Sequence, residues 1–192
     1  MAIKVYVDQG HNPKSPNSGA EGNGYREQDI SYAVGVELYN LLIRNPNYTA
    51  RLSRPTPQSS VGTSNSSSLS LRVSDANNWG ADVFVSIHTN ASSAESASGS
   101  EALVYSEQTP AYRIGEDILT ALNRQTGLRN RGVKIRPGLY VLRRTKMPAV
   151  IVELGFITNL SDAELMVNRP DLFARGIYDG LNRYYGFQTS SV

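Results

Sequence analysis

The chain holds two histidines and no cysteine, so any metal it binds must sit on imidazole and carboxylate oxygen. Both histidines follow apolar runs. Val5-Tyr6-Val7-Asp8-Gln9-Gly10 leads to His11, and Val83-Phe84-Val85-Ser86-Ile87 leads to His88. Ala149-Val150-Ile151-Val152 leads to Glu153 in the same way, and Glu27 opens the amphipathic stretch that follows the first run. Two neutral imidazoles and one carboxylate form the ligand set of a catalytic zinc with one position left open. Such a zinc lowers the pKa of water towards ~7 and polarises a carbonyl. A second carboxylate outside the ligand set can then move the proton. The four residues therefore offer three ligands and one base. No His-Glu-x-x-His sequence is present, which excludes the helical zincin arrangement.

Each residue also has a plainer reading. A histidine at a strand end can be hydrogen-bonded structure, but two on one sheet edge, with no others in the chain, favour a shared role. Glu27, in a first helical turn, can serve the helix dipole and a free N–H. Glu153 follows a Val/Ile run, where an unpaired charge is costly to bury. It could instead pair with Arg143 or Arg144. Asp8 is a further potential ligand, though the preferred reading has it orient an imidazole.

These residues converge only if the elements place them on one edge. Ile3 to Asp8 alternates as a strand, and Gly10 to Gly24 reads as a loop. Arg26 to Arg44 carries a helical apolar stripe through Ile30, Ala33, Val34, Leu38, Leu41 and Leu42. Further strands are expected at Tyr48–Leu52, Asp82–Ile87, Glu101–Tyr105, Leu139–Leu142 and Ala149–Val152. Further helices are expected at about Leu69–Trp79 and Pro110–Thr126, with a short one after Ser161 and a longer one at Pro170–Tyr185. The Ser-rich stretch Pro55 to Ser68 reads as an exposed loop without a core contribution. Strands alternating with helices predict a single α/β domain. Its mostly parallel central sheet of about six strands would carry helices on both faces, with its site beyond the strands' carboxyl ends. The domain is expected over residues 1–187, with 188–192 a polar tail that could begin a linker.

Composition narrows the function. A chain of 192 residues suits one domain, and a net charge of +2 leaves no nucleic-acid footprint. No apolar run approaches the ~20 residues of a membrane span. The first residues enter a strand without a secretory signal.

The motifs resemble those of the zinc-dependent N-acetylmuramoyl-L-alanine amidases of type 3, found among bacterial cell-wall amidases and phage endolysins. The resemblance runs from Val5 to about Tyr185. It rests on Val7-Asp8-Gln9-Gly10-His11, on Arg26-Glu27-Gln28-Asp29, and on Arg72 to Asn77 followed by Ala81 to Asn90. The order continues through Arg131-Gly132-Val133-Lys134, Leu139 to Leu142 and Pro148 to Asn159. The resemblance implies a twisted α/β sheet, one zinc held by His11, Glu27 and His88, and Glu153 as base. It also implies peptidoglycan as substrate, cut between N-acetylmuramic acid and L-alanine. The alternatives are a zinc peptidase or deacylase on another amide, and a non-catalytic wall-binding module. Action at the cell wall without a signal peptide suits a phage-encoded endolysin. It equally suits a piece of a longer protein whose leader and wall-binding domain have been removed.

The chain departs from the family pattern at Asn12-Pro13-Lys14, where a Gly-Gly pair often follows the histidine, and in the long serine-rich stretch. Both bear on substrate preference. Asn90 is a candidate substrate contact, and Arg72 and Asn77 are expected to serve packing and hydrogen bonding. The basic residues Arg129, Arg131, Lys134, Arg136, Arg143, Arg144 and Lys146 could face anionic wall polymers or stem-peptide carboxylates, and a solvated basic face is the preferred reading.

Overall fold

The computed structural model describes residues 1–188; of the expected tail, all but Gln188 lies outside the described residues. The chain runs β1 (Ile3–Gln9), β2 (Glu21–Gly22), β3 (Tyr25–Arg26), α1 (Glu27–Ile43), β4 (Tyr48–Leu52), α2 (Asn65–Trp79), β5 (Val83–Asn90) and β6 (Ser100–Val104). It continues through α3 (Pro110–Thr126), β7 (Asn130–Ile135), α4 (Tyr140–Arg144), β8 (Ala149–Phe156), α5 (Leu160–Asn168) and α6 (Pro170–Tyr185). The central sheet has six strands in the order β4-β1-β5-β8-β6-β7. β1 pairs parallel with β4 and β5, β5 with β8, and β6 with β7, while β6 runs antiparallel to β8. The α/β class and the mostly parallel sheet are thus as expected. β2 lies in the stretch read as loop and β3 just after it, and the two form a separate hairpin of two-residue strands.

Central strands buried on both sides read as continuous apolar runs, and Val5 to Val7, Val83 to Val85 and Ala149 to Val152 are all buried. Alternate side chains go to opposite faces. Val5, Val7, Val83, Val85, Ile87, Val150 and Val152 meet the buried stripes of α1, α3 and α6 in the larger core. Tyr6, Phe84 and Ile151 meet α2 and α4 in a smaller one. Helix boundaries follow local chemistry. Ser64 and Ser67 form a capping box at the start of α2, and Gly80 ends it in the left-handed conformation. Thr109 and Pro110 start α3, and Gly127 stops it.

Three expectations are corrected. Leu139–Leu142 is not a strand: Tyr140 to Arg144 is a short helix whose Val141 and Leu142 cover the smaller core. Four apolar residues carry too little periodicity to separate strand from helix. The edge position belongs instead to β7, whose Asn130, Arg131, Gly132 and Lys134 conceal a strand pattern. The serine-rich stretch is exposed through most of its length, but its last residues already belong to α2. Ser68 is buried, and the segment is tied to the rest of the chain by Arg54 and Asn12.

Candidate metal centre

His11 follows β1, and Glu27 is the first residue of α1. His88 and Glu153 do not follow their strands as expected but lie within them, because β5 and β8 stay paired to Asn90 and Phe156. They face each other in that register, His88 opposite Glu153. Parallel pairing of β1, β5 and β8 thus brings His11, His88 and Glu153 together near the strands' carboxyl ends, and the start of α1 adds Glu27.

Glu27 is the hub. Its Oε1 lies 2.9 Å from His88 Nδ1 and 3.2 Å from His11 Nε2, and it accepts a hydrogen bond from Thr89 N at 3.1 Å. Its Oε2 accepts from Ala20 N at 2.8 Å. Burial alone would raise the Glu27 carboxyl, but hydrogen bonds and charge from the two imidazoles hold it well below the usual carboxylate range. Burial likewise works against a charged His88, and Glu27 outweighs it, so His88 is raised. One candidate ligand atom from each of the three residues lies within 4.8 Å of the other two. His11 Nδ1 is buried without a hydrogen-bond partner. A cation among these groups would replace the protons that now link them. The donor set, two imidazoles and a carboxylate, suits zinc.

The backbone is shaped to hold this cluster. His11 has φ of 66°, a left-handed conformation that needs support from its surroundings. Arg72 supplies it, donating through Nη2 to His11 O at 2.6 Å and to Asn12 Oδ1 at 3.1 Å. The same guanidinium donates to Asp8 Oδ1 at 2.6 Å and to Gln9 O at 2.7 Å. Ser86 donates to the other Asp8 oxygen at 2.7 Å. Burial would raise the Asp8 carboxyl, but Arg72 and Ser86 together hold it below the usual range. Asp8 therefore anchors Arg72 and makes no hydrogen bond to an imidazole, contrary to the sequence expectation. A β-carbon on Gly10 would stand 2.6 Å from His88 Nε2, and one on Gly19 would stand 2.7 Å from Glu27 Oε2. Both positions require glycine by close approach.

Glu153 is placed differently. Its Oε2 is buried with no partner, and among the described residues no arginine pairs with it, so Arg143 and Arg144 leave it free. Burial pushes its carboxyl up to about 7, with the Glu27 and Glu101 carboxylates adding to the rise against the opposing pull of His88. A carboxyl near neutrality can both take and give a proton. Glu101 faces Glu153 across the β6–β8 pairing. It accepts from Asn90 Nδ2 at 2.9 Å and from Arg131 Nε at 3.3 Å. Asn90 thus has its amide turned to Glu101. Neither Glu101 nor Arg131 is assigned a catalytic or metal-binding role from sequence, since only strand pairing brings them beside Glu153. Arg72 and Asn77 have the expected structural roles, Asn77 bonding Arg144 O and Lys146 N. A cavity of about 130 Å³ opens beside the histidines, lined by Asp8, Ser86, Leu69, Leu139, Tyr140 and Ile151 among others.

The family model described as N-acetylmuramoyl-L-alanine amidase matches residues 5–183. The chain is 33% identical over 198 residues to N-acetylmuramoyl-L-alanine amidase CwlM of Bacillus licheniformis, covering 99% of this chain and 72% of that one. It is 35% identical to N-acetylmuramoyl-L-alanine amidase LytC of Bacillus subtilis (strain 168), covering 94% of this chain and 35% of that one, so it spans about a third of LytC. Among solved structures, N-acetylmuramoyl-L-alanine amidase from Clostridium difficile 630 superposes with a TM-score of 0.85 at 28% identity. That match covers 98% of this chain and 99% of the other.

Proposed function

The chain belongs to the N-acetylmuramoyl-L-alanine amidase family, and from that premise we propose that it hydrolyses the amide between N-acetylmuramic acid and L-alanine in peptidoglycan, using one zinc ion. His11, Glu27 and His88 are the ligands, Glu153 is the base, and residues 1–187 are the catalytic unit. The observation that supports this most is the contrast between two carboxylates: Glu27 is saturated by imidazoles and backbone N–H groups, while Glu153 beside it keeps a buried oxygen without a partner.

When bound, zinc supplies Lewis acidity, polarising a carbonyl and lowering the pKa of water towards ~7. The protein supplies position and proton transfer. Water adds to the lactyl carbonyl carbon as Glu153 takes one of its protons. The carbon–nitrogen bond then breaks as Glu153 returns that proton to the departing nitrogen. The products are a lactyl carboxylate on the glycan and a free amino group on L-alanine. Arg72 holds the His11 backbone in place, and Glu101, tied to Asn90 and Arg131, keeps negative charge near the base and so favours its protonated form. The enzyme acts at the cell wall.

Metal analysis beside wall digestion tests the proposal. About one zinc per chain is expected, removed by chelation together with the release of L-alanine amino groups and restored with it. A metal-free protein that still cuts the wall would overturn the zinc assignment. A zinc-loaded protein that frees no L-alanine amino group would overturn the choice of bond.

A further inference from the structure

Charge is distributed unevenly along this chain. Residues 118–152 hold eight of the nineteen lysines and arginines and none of the seventeen acids, leaving eleven cations against seventeen acids elsewhere. Two of the eight are paired, Arg124 with Asp179 and Arg131 with Glu101. Among the described residues the other six, Arg129, Lys134, Arg136, Arg143, Arg144 and Lys146, are in no ion pair. All but the half-buried Lys134 are exposed.

The fold gathers these cations along one flank. β7 is the edge strand, and its pairing with β6 shifts register between Ser100 and Ala102, where Gly132 adopts φ of 82°. The extra residue breaks the strand's alternation. Val133 and Ile135 still pack on the larger core, while Arg131 reaches Glu101 and Lys134 stands opposite Leu103 of the smaller core. Arg131 and Lys134 therefore share the face that carries Glu153. α4 lies over that same face with Arg143 and Arg144 outward, and Asn77 ties its exit at Arg144 and Lys146 to α2. The strip starts beside Glu101 and follows β7 away from the cleft for roughly 20 Å, at ~3.3 Å per residue. Protection of an edge strand requires charge but not one sign of charge. Recognition of one stem-peptide carboxylate requires one cation, not six. Four of the six are arginines, whose planar fork matches phosphate oxygens.

We propose that this flank, from Arg129 to Lys146, docks a wall polymer bearing repeated phosphodiester anions, so that the enzyme is held on polymer-bearing glycan beside the cleft. The proposal rests on the amidase reading, since that reading brings the protein to the wall. It takes the anionic-polymer reading of this stretch over the solvated face preferred from sequence.

The test uses insoluble Gram-positive wall, intact or stripped of phosphodiester polymer by hydrofluoric acid, and protein in a Glu153→Gln background so that the wall survives. Arg136→Gln/Arg143→Gln/Arg144→Gln should weaken retention on intact wall about tenfold or more at ~0.1 M salt, with a shallower salt dependence. Retention on stripped wall should not change. With Glu153 restored, the triple variant should cut stripped wall at the unmutated rate. Equal retention of both proteins on intact wall would overturn the proposal. Displacement by polyglutamate as effective as by polyglycerol phosphate would overturn the choice of phosphodiester. Failure of the unmutated enzyme to free L-alanine amino groups from stripped wall would count against the amidase reading alone, leaving the retention difference to judge the docking surface.

Discussion

On the face covered by α1, α3 and α6, the three central strands present Val5, Val7, Val83, Val85, Ile87, Val150 and Val152. On the other face the same strands present Tyr6, Asp8, Phe84, Ser86, His88, Ile151 and Glu153. One face gains stability from apolar area, which is roughly proportional and forgiving. The other holds a buried ion pair, a backbone in a left-handed conformation and a glutamate with an unpartnered oxygen, each dependent on particular atoms. In this reading the apolar face holds the sheet rigid and the polar face carries the proposed chemistry. If so, damage to the two faces should separate into lost stability and lost turnover.

The sharpest separation is expected from Glu153→Gln. It should lower kcat by about 10²–10⁴-fold, the range for a positioned acid–base group, while zinc content and Tm hold or Tm rises. Steady-state kinetics on wall fragments and metal analysis check this. A variant with most of its rate would remove Glu153 from the mechanism.

Next come paired changes, one on each face. Arg72→Met strands the buried Asp8 carboxylate and releases the His11 carbonyl. Loss of one partner from a buried pair costs about 3–5 kcal/mol, and zinc affinity should fall with it. Asp8→Asn/Arg72→Met should recover part of the stability, because no buried charge is left alone. Leu38→Ala on the apolar face should cost about 2–5 kcal/mol with kcat and zinc affinity intact. Denaturant unfolding and metal competition separate these outcomes. Altered zinc affinity in Leu38→Ala would show that the faces are coupled and the comparison too simple.

How much was legible in the sequence follows the same division. The apolar runs of β1, β5 and β8 could be read directly because buried parallel strands leave an unbroken hydrophobic signal, and His11, His88 and Glu153 were found through them. Glu27 was found through its place before a helical stripe. Their convergence, one ligand atom from each of the three candidate ligands lying within 4.8 Å of the other two, needed the strand order. β7 was missed because a bulge with Gly132 and three basic or polar residues masks its alternation. Leu139 to Leu142 was misread because a four-residue apolar run suits a one-turn helix equally well. Asp8 was recognised as important but given the wrong partner, since nothing local to Asp8 points to Arg72, sixty-four residues away. Glu101 carried no signal beyond being an acid at the start of an expected strand, and Arg131, though part of a family motif and of the basic stretch, had nothing local to tie it to Glu153.

A pH titration of stability probes the polar face alone. Glu153 is raised from an ordinary 4.5 to about 7, first by burial and then by the Glu27 and Glu101 carboxylates. Its folded pKa thus lies above its unfolded value, so the metal-free folded state binds the extra proton between these values. Glu153's contribution to stability must then fall as pH rises through that window. Glu153→Gln cannot ionise and escapes this loss. The variant should gain on the unmutated metal-free protein from nearly nothing at the acid end to the order of 1–3 kcal/mol above neutrality. Asp8 and Glu27 titrate in both proteins, so the difference isolates residue 153. A difference independent of pH would mean that the Glu153 carboxyl is as well solvated as any on the surface.

The smallest effect concerns fit rather than charge. A β-carbon at Gly19 would stand 2.7 Å from Glu27 Oε2, 2.8 Å from its Cβ and 2.9 Å from His11 Cδ2, whereas one at Gly138 meets nothing within 4 Å. Neither glycine has positive φ, so backbone strain contributes to neither substitution. Gly19→Ala must move the carboxylate that Ala20 N and Thr89 N now fix. Changes to the groups that orient a metal ligand typically weaken affinity 10–100-fold, and the half-buried loop around Gly19 can absorb part of the shift. A loss of about tenfold in zinc affinity is therefore expected, with little change in unfolding midpoint and none in either quantity for Gly138→Ala. Competition against a chelator of known strength reads the affinity. If Gly19→Ala bound zinc as tightly as Gly138→Ala, the Glu27 side would have slack after all. The polar face would then depend on Arg72 and Glu153 rather than on close packing around its ligands.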